Sequence, residues 1–281
     1  MPRPKAKKQT KGKLTKRGWP WFAWLFIALV IAGVVVFARV YLTGQTPADH
    51  GGELKAAIVD QLSSFRENEA FVTNVTKELE DYGFKVDLYQ GDNITVDFYR
   101  GLPSQGYKLI VFRAHSGILQ GENQTYYKTT LFTNEEFDLK KHQFDVLDDR
   151  LFMASIGEGY PWVFSIAPKF ISKSMSGEFN NTVVIMMGCS GIYLTDLAEA
   201  FIGKGASAYL AWDASVELDY VDEATAYLIG QLCSEKATIK GAVDSTMVEK
   251  HPDPKHGAVL KYYPSEYQSD IGGKTLEELT K

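Results

Sequence analysis

Cysteine is scarce in this chain: 281 residues contain two, Cys189 and Cys233. That excludes a disulfide-stapled scaffold and any thiolate-rich metal centre. The five histidines are scattered and lack ligand spacing, so no metal site and no cofactor is expected. His251 and His256 fall in the polar run HPDPKH and read as solvated. No Gly-rich phosphate loop stands at a strand-to-helix turn. No internal repeat is visible, and the only biased tract is a basic tail.

That tail holds much of the positive charge. Residues 1–18 carry eight Lys and Arg and no acid. With Arg39 they contribute +9 to a net charge of -5, which leaves -14 on everything else. An acidic domain of this kind is a poor partner for nucleic acid, which rewards clustered Lys and Arg.

Residues 19–38 read WPWFAWLFIALVIAGVVVFA without a charge. About 20 apolar residues span a ~30 Å hydrocarbon core, so residues 19–42 are expected to form one membrane helix with the lipid bilayer as partner. Trp19, Trp21, Trp24 and Tyr41 suit its two boundaries. The positive-inside rule puts the tail in the cytoplasm and residues 55–281 outside it, behind a linker at 43–54. A cleaved signal peptide is the rival reading, but its apolar core is usually only ~7–15 residues. Four Asn-x-Thr sequons, at Asn74, Asn93, Asn123 and Asn180, suit an extracytoplasmic glycoprotein.

From residue 55 onward, strand and helix signals alternate. KAAIVDQL (55–62), FKVDLY (84–89), YKLIVFRA (107–114), TVVIMM (182–187) and ASAYLAW (206–212) read as strands. Residues 68–82, 95–102, 196–203 and 222–236 read as helices, with Gly83 ending the first and Asp196 as N-cap of the third. The fold class this implies is α/β: a three-layer sandwich on a mainly parallel sheet, preceded by one transmembrane helix. Short β-like runs at 129–133, 151–155 and 162–166 suggest an inserted β-rich arm over about 124–177.

Ligands bind open α/β sheets at the carboxyl ends of the strands. His115-Ser116-Gly117 follows one buried strand, Gly188-Cys189-Ser190-Gly191 a second, and Asp213 a third. A thiol activated by a histidine is a nucleophile for acyl transfer. The amides of Cys189 and of Ser116 or Gly117 are candidate oxyanion donors.

These residues resemble the caspase-like cysteine peptidases of clan CD, which include clostripain, gingipains, legumain, separase, caspases and the CHAT-domain proteases. The run Met187-Gly188-Cys189-Ser190 is similar to the nucleophile segment of separase. Residues 197–216 are similar to the segment after the catalytic Cys in CHAT and clostripain-like members, and TTLFTNEE (129–136) resembles a turn between His and Cys. The resemblance implies a caspase-like fold, His115 as general base and Cys189 as nucleophile. It also implies Asp213 as the acid that recognises a basic residue before the cleaved bond. Three positions depart from the pattern: Ser116 where Gly commonly follows the His, Gly188 where Ala is frequent, and Met187 where some relatives carry an acid.

The resulting expectation is a membrane-anchored cysteine endopeptidase with a His–Cys dyad and a peptide or protein substrate. Besides a structural assembly protein that uses the arm at 124–177 for contacts, two alternatives stay open. One is a non-catalytic extracytoplasmic binding or sensing domain on the same fold. The other is a Cys189–Cys233 disulfide, which would abolish thiolate chemistry.

Overall fold

Long apolar runs become strands because only a sheet covered on both faces hides every side chain of such a run. The computed structural model describes residues 54–120 and 127–281. The chain divides into two units, Met1–Gly51 and Gly52–Lys281, and the described residues belong to the second. Their first half runs β1 (Lys55–Asp60), α1 (Glu69–Tyr82), β2 (Lys85–Gln90), α2 (Val96–Gly101), β3 (Leu109–Arg113), β4 (Ser116–Gln120) and β5 (Tyr127–Glu136). There follow α3 (Gln143–Leu147), β6 (Leu151–Ala154), β7 (Val163–Ile166), α4 (Pro168–Ser174) and β8 (Thr182–Met186). The chain ends with α5 (Asp196–Gly203), β9 (Ala206–Trp212), α6 (Leu218–Cys233), α7 (Ile239–Lys250), β10 (Leu260–Tyr263) and α8 (Leu276–Thr280).

Two sheets result. The larger has strand order β10-β9-β8-β3-β1-β2, and the smaller β4-β5-β7-β6. In the larger sheet every pairing is parallel except β9 with β10, which is antiparallel; the smaller sheet is antiparallel throughout. The sandwich on one mainly parallel sheet is therefore corrected to a mixed α/β fold with two sheets. Of the β-like runs taken for an inserted arm, β5 pairs with β4, which starts directly after His115, β7 with β5 and β6 with β7, so they build a sheet of their own.

The alternation of side chains along the large sheet divides the core in two. Ile58, Val111, Ile185 and Leu210 pack with α1, α6 and α7 through Val75, Leu79, Leu228 and Ala242. Val59, Phe112, Met186 and Tyr209 pack on the other side with Phe170, Phe201 and the small sheet's Leu131 and Ile166. Local signals set the helix ends. Asn68 caps α1 by accepting from the Phe71 amide at 3.1 Å, and Gly83 closes it in the left-handed region at φ +112°. α5 begins differently from the sequence reading: Thr195, not Asp196, is its N-cap residue.

Residues 1–53 lie outside the described residues, and with them the basic tail (1–18), the apolar stretch 19–42 and nearly all of the linker (43–54). The sequon at Asn123 lies outside them too. Among the described residues no helix is long and apolar enough to cross a membrane. The longest is α6 with 16 residues, short of the ~20 a bilayer needs. The single-pass anchor, its orientation, the membrane location and the bilayer partner therefore have no support among the described residues.

Candidate functional site

The site forms where β3 and β8 end side by side. These strands are parallel with Phe112 opposite Met186, and the Met187 amide donates to Phe112 O at 2.9 Å. Three residues past that register pair come His115 on one chain segment and Cys189 on the other. The Ser116 hydroxyl donates to Cys189 O at 2.7 Å, tying the two segments together beyond the strands.

Gly188 is required for this approach. A Cβ built on it would overlap Ser116 Oγ and come within 2.6 Å of Ala114 O and 2.8 Å of Ser116 N. Just after Cys189, Ser190 is left-handed at φ +55°, a conformation uncommon outside Gly and Asn. Ser190 N–H donates to Ala214 O (2.8 Å) and Ile192 N–H to Trp212 O (3.1 Å), so the turn is fastened to the end of β9.

The Cys189 side chain is partly exposed. Its Sγ accepts from the Val216 amide at 3.5 Å and lies 3.8 Å from Val216 O. Both cysteines are free, so the Cys189–Cys233 alternative is not realised. Cys233 is buried at the end of α6, and burial pushes its thiol up to about 12.

His115 is held by its backbone and its ring faces. Its amide donates to Gln61 Oε1 at 2.9 Å, and its carbonyl accepts from Phe132 N at 2.9 Å. Gln61 is braced in turn by Asn134, whose Oδ1 accepts from Gln61 Nε2 at 2.6 Å. The imidazole stacks on Phe65 with centroids 5.1 Å apart and planes 4° from parallel. Phe132 lies 5.9 Å away on a tilt. Nε2 is buried without a hydrogen-bond partner.

Burial lowers the His115 pKa from 6.5 to about 4. The ring is neutral at pH 7. Between pH 6.5 and about 4 the unfolded chain binds a proton that the folded one refuses. Stability therefore rises with pH across that window and falls, by on the order of 3 kcal/mol, as the pH drops through it. Urea midpoints at pH 7 and pH 4.5 for wild type and His115→Gln measure this. The variant should lose much less between the two pH values, and equal losses would assign the acid sensitivity to other groups.

Behind His115 sits a buried ionic network that sequence reading missed. Arg113 is fully buried; its Nη1 donates to Asp60 Oδ1 (2.7 Å), while Nε and Nη2 grip Asp222 at 2.8 and 2.9 Å. Nη2 also reaches Arg66 O at 2.9 Å. Burial works against the guanidinium charge, but hydrogen bonds and charge from Asp222 and Asp60 outweigh it and raise the Arg113 pKa. The available signal was an Arg and an Asp closing the otherwise apolar runs LIVFR and AAIVD.

The remaining candidates separate. Phe132 N donating to His115 O makes that a hydrogen-bonded pair of the β4–β5 ladder. By antiparallel alternation Gly117 and Thr130 form the next such pair, and the Ser116 amide points away from β5. Asp213 faces β10: its Oδ1 accepts from Val259 N at 2.8 Å, and its Oδ2 pairs with Lys261 Nζ at 2.8 Å. Its carboxylate thus closes the β9–β10 junction.

The membrane-anchored endopeptidase with an assembled dyad is corrected here. Among the described residues the Sγ hydrogen bonds run to Val216 and none joins Sγ to the His115 ring, and no helix is long and apolar enough to serve as anchor. Compared with protein-family models and with curated proteins, the sequence matches none.

Proposed function

We propose that the domain is a cysteine-type hydrolase of the caspase-like peptidase kind, in which Cys189 attacks a peptide carbonyl and His115 takes up the thiol proton. The observation that carries the reading is the shared position of the two residues. Each stands three residues beyond a register pair of adjacent parallel strands, on segments joined by the Ser116–Cys189 hydrogen bond. A buried, neutral imidazole with an unpartnered Nε2 supports it, since such a nitrogen gains its hydrogen bond only when a proton donor arrives.

In this reading a substrate carbonyl enters between the two strand ends. The Sγ–carbon bond forms as the thiol proton moves to His115 Nε2. The carbonyl oxygen gains negative charge within reach of the Cys189 and Ser116 amides; Gly117, tied into the β4–β5 ladder, is not called on. Collapse expels the amine, which takes the proton from Nε2. Water then splits the thioester, releasing the acid and restoring the thiol.

The test is active-site labelling of the full chain with a mixture of peptide acyloxymethyl ketones, read by mass spectrometry. Cys189 should be alkylated at pH 7 and Cys233 spared. His115→Ala should slow labelling by about 100-fold or more, the usual weight of a general base. Cys189→Ala should abolish labelling while its unfolding midpoint stays close to wild type. An inert Cys189, or full-rate labelling in His115→Ala, overturns the assignment.

A further inference from the structure

We infer that the substrate side chain next to the scissile bond is apolar or aromatic rather than basic: exposed rings border the His115 side of the site, and the carboxylates described on the Cys189 side are already paired. The inference rests on the reading of Cys189 and His115 as a peptide-cleaving pair.

Consider first the acids. The segment from Asp213 to Glu217 presents the Val216 amide to Sγ, so its charges would meet a substrate seated on the thiol. Asp213 is held by the Val259 amide and by Lys261. Glu217 pairs with Lys255 at 2.7 Å and His256 at 3.1 Å. Asp253 is buried and accepts from the amides of Glu217 (2.8 Å), Lys255 (3.0 Å) and His256 (2.6 Å). A basic substrate residue would have to displace one of this chain's own lysines. That exchanges one ion pair for another and adds little affinity.

Consider next the rings. Phe65 lies flat against His115 yet remains 38% exposed. Tyr160 meets it edge-on at 6.2 Å and is 49% exposed. The two make an apolar corner beside the proposed base. A side chain laid into it buries hydrocarbon on both partners, and an aromatic one adds an edge or stacking contact. The same occupant would cover His115 from water.

The experiment uses the full chain and peptide acyloxymethyl ketones that differ only in the residue beside the reactive group: Phe, Leu, Arg, Lys or Gly. The thiolate displaces the probe's carboxylate and forms a thioether, so the adduct on Cys189 is counted by mass spectrometry. Phe and Leu probes should label at least about tenfold faster than Arg and Lys probes. Phe65→Ala should bring the Phe probe down to the Gly rate; should that variant fail to fold, Tyr160→Ala in its exposed turn serves. Lys261→Ala frees Asp213 and should speed the Arg probe several-fold without changing the Phe probe. Fastest labelling by Arg or Lys in the wild type overturns the inference alone, as does a Phe preference unmoved in Phe65→Ala or Tyr160→Ala. No labelling by any probe, with Cys189 still open to iodoacetamide, overturns the peptidase reading and this inference with it.

Discussion

Arg113→Leu should cost about 3–5 kcal/mol of stability, the range seen when one partner of a buried ion pair is removed. Asp60 is fully buried and Asp222 nearly so, and both lie on the same guanidinium. Without Arg113 they become two uncompensated carboxylates against an apolar core. The effect should reach the site, because Asp60 precedes Gln61, which holds the His115 amide, and Arg113 itself lies two residues before His115. Urea titration of the full chain measures the first part, and the rate of Cys189 labelling the second. Replacing Arg113, Asp60 and Asp222 together by Met or Leu should restore most of the loss, since apolar groups of similar volume often substitute for a buried network without cost. A single-mutant loss under 1 kcal/mol would mean that water reaches the cluster.

Gly188→Ala should be the second large effect, about 3 kcal/mol, because the added methyl meets atoms on three sides. Ser116→Gly alone removes only the hydroxyl bond to Cys189 O, worth about 1 kcal/mol. The double variant should be more stable than the sum of the two predicts, by about 1 kcal/mol. Relief is partial, since Ala114 O and Ser116 N still crowd the new Cβ at 2.6 and 2.8 Å. Ser116 and Gly188 are complementary: the one side chain fills the space that the other leaves empty. Strict additivity in thermal or urea unfolding would break that link.

Much of the large sheet was legible because its signal is local. An apolar run such as AAIV or TVVIM needs cover on both faces whichever strands lie beside it, so β1, β3, β8 and β9 stand out. The α1 helix was legible through Asn68, Gly83 and the spacing of Phe71, Val75 and Leu79. β4 was not: SGILQ is short and only Ala114 and His115 separate it from the end of β3, with no turn signal to set it apart. Nor was β10, whose direction depends on the chain turning back through 251–259 after α7. Asp213 shows the same limit within the site. The sequence placed it at a strand end, but its partners Val259 and Lys261 lie more than forty residues onward.

Sequence alone determined most strands of the large sheet and that a histidine and a cysteine stand just beyond two of them, because burial and backbone periodicity act over a few neighbouring residues. Tertiary structure decided that those two strands are adjacent, that Arg113 joins Asp60 to Asp222 beneath them, and that Asp213 turns to β10. Those outcomes depend on pairing and packing between residues distant along the chain, which no local pattern encodes.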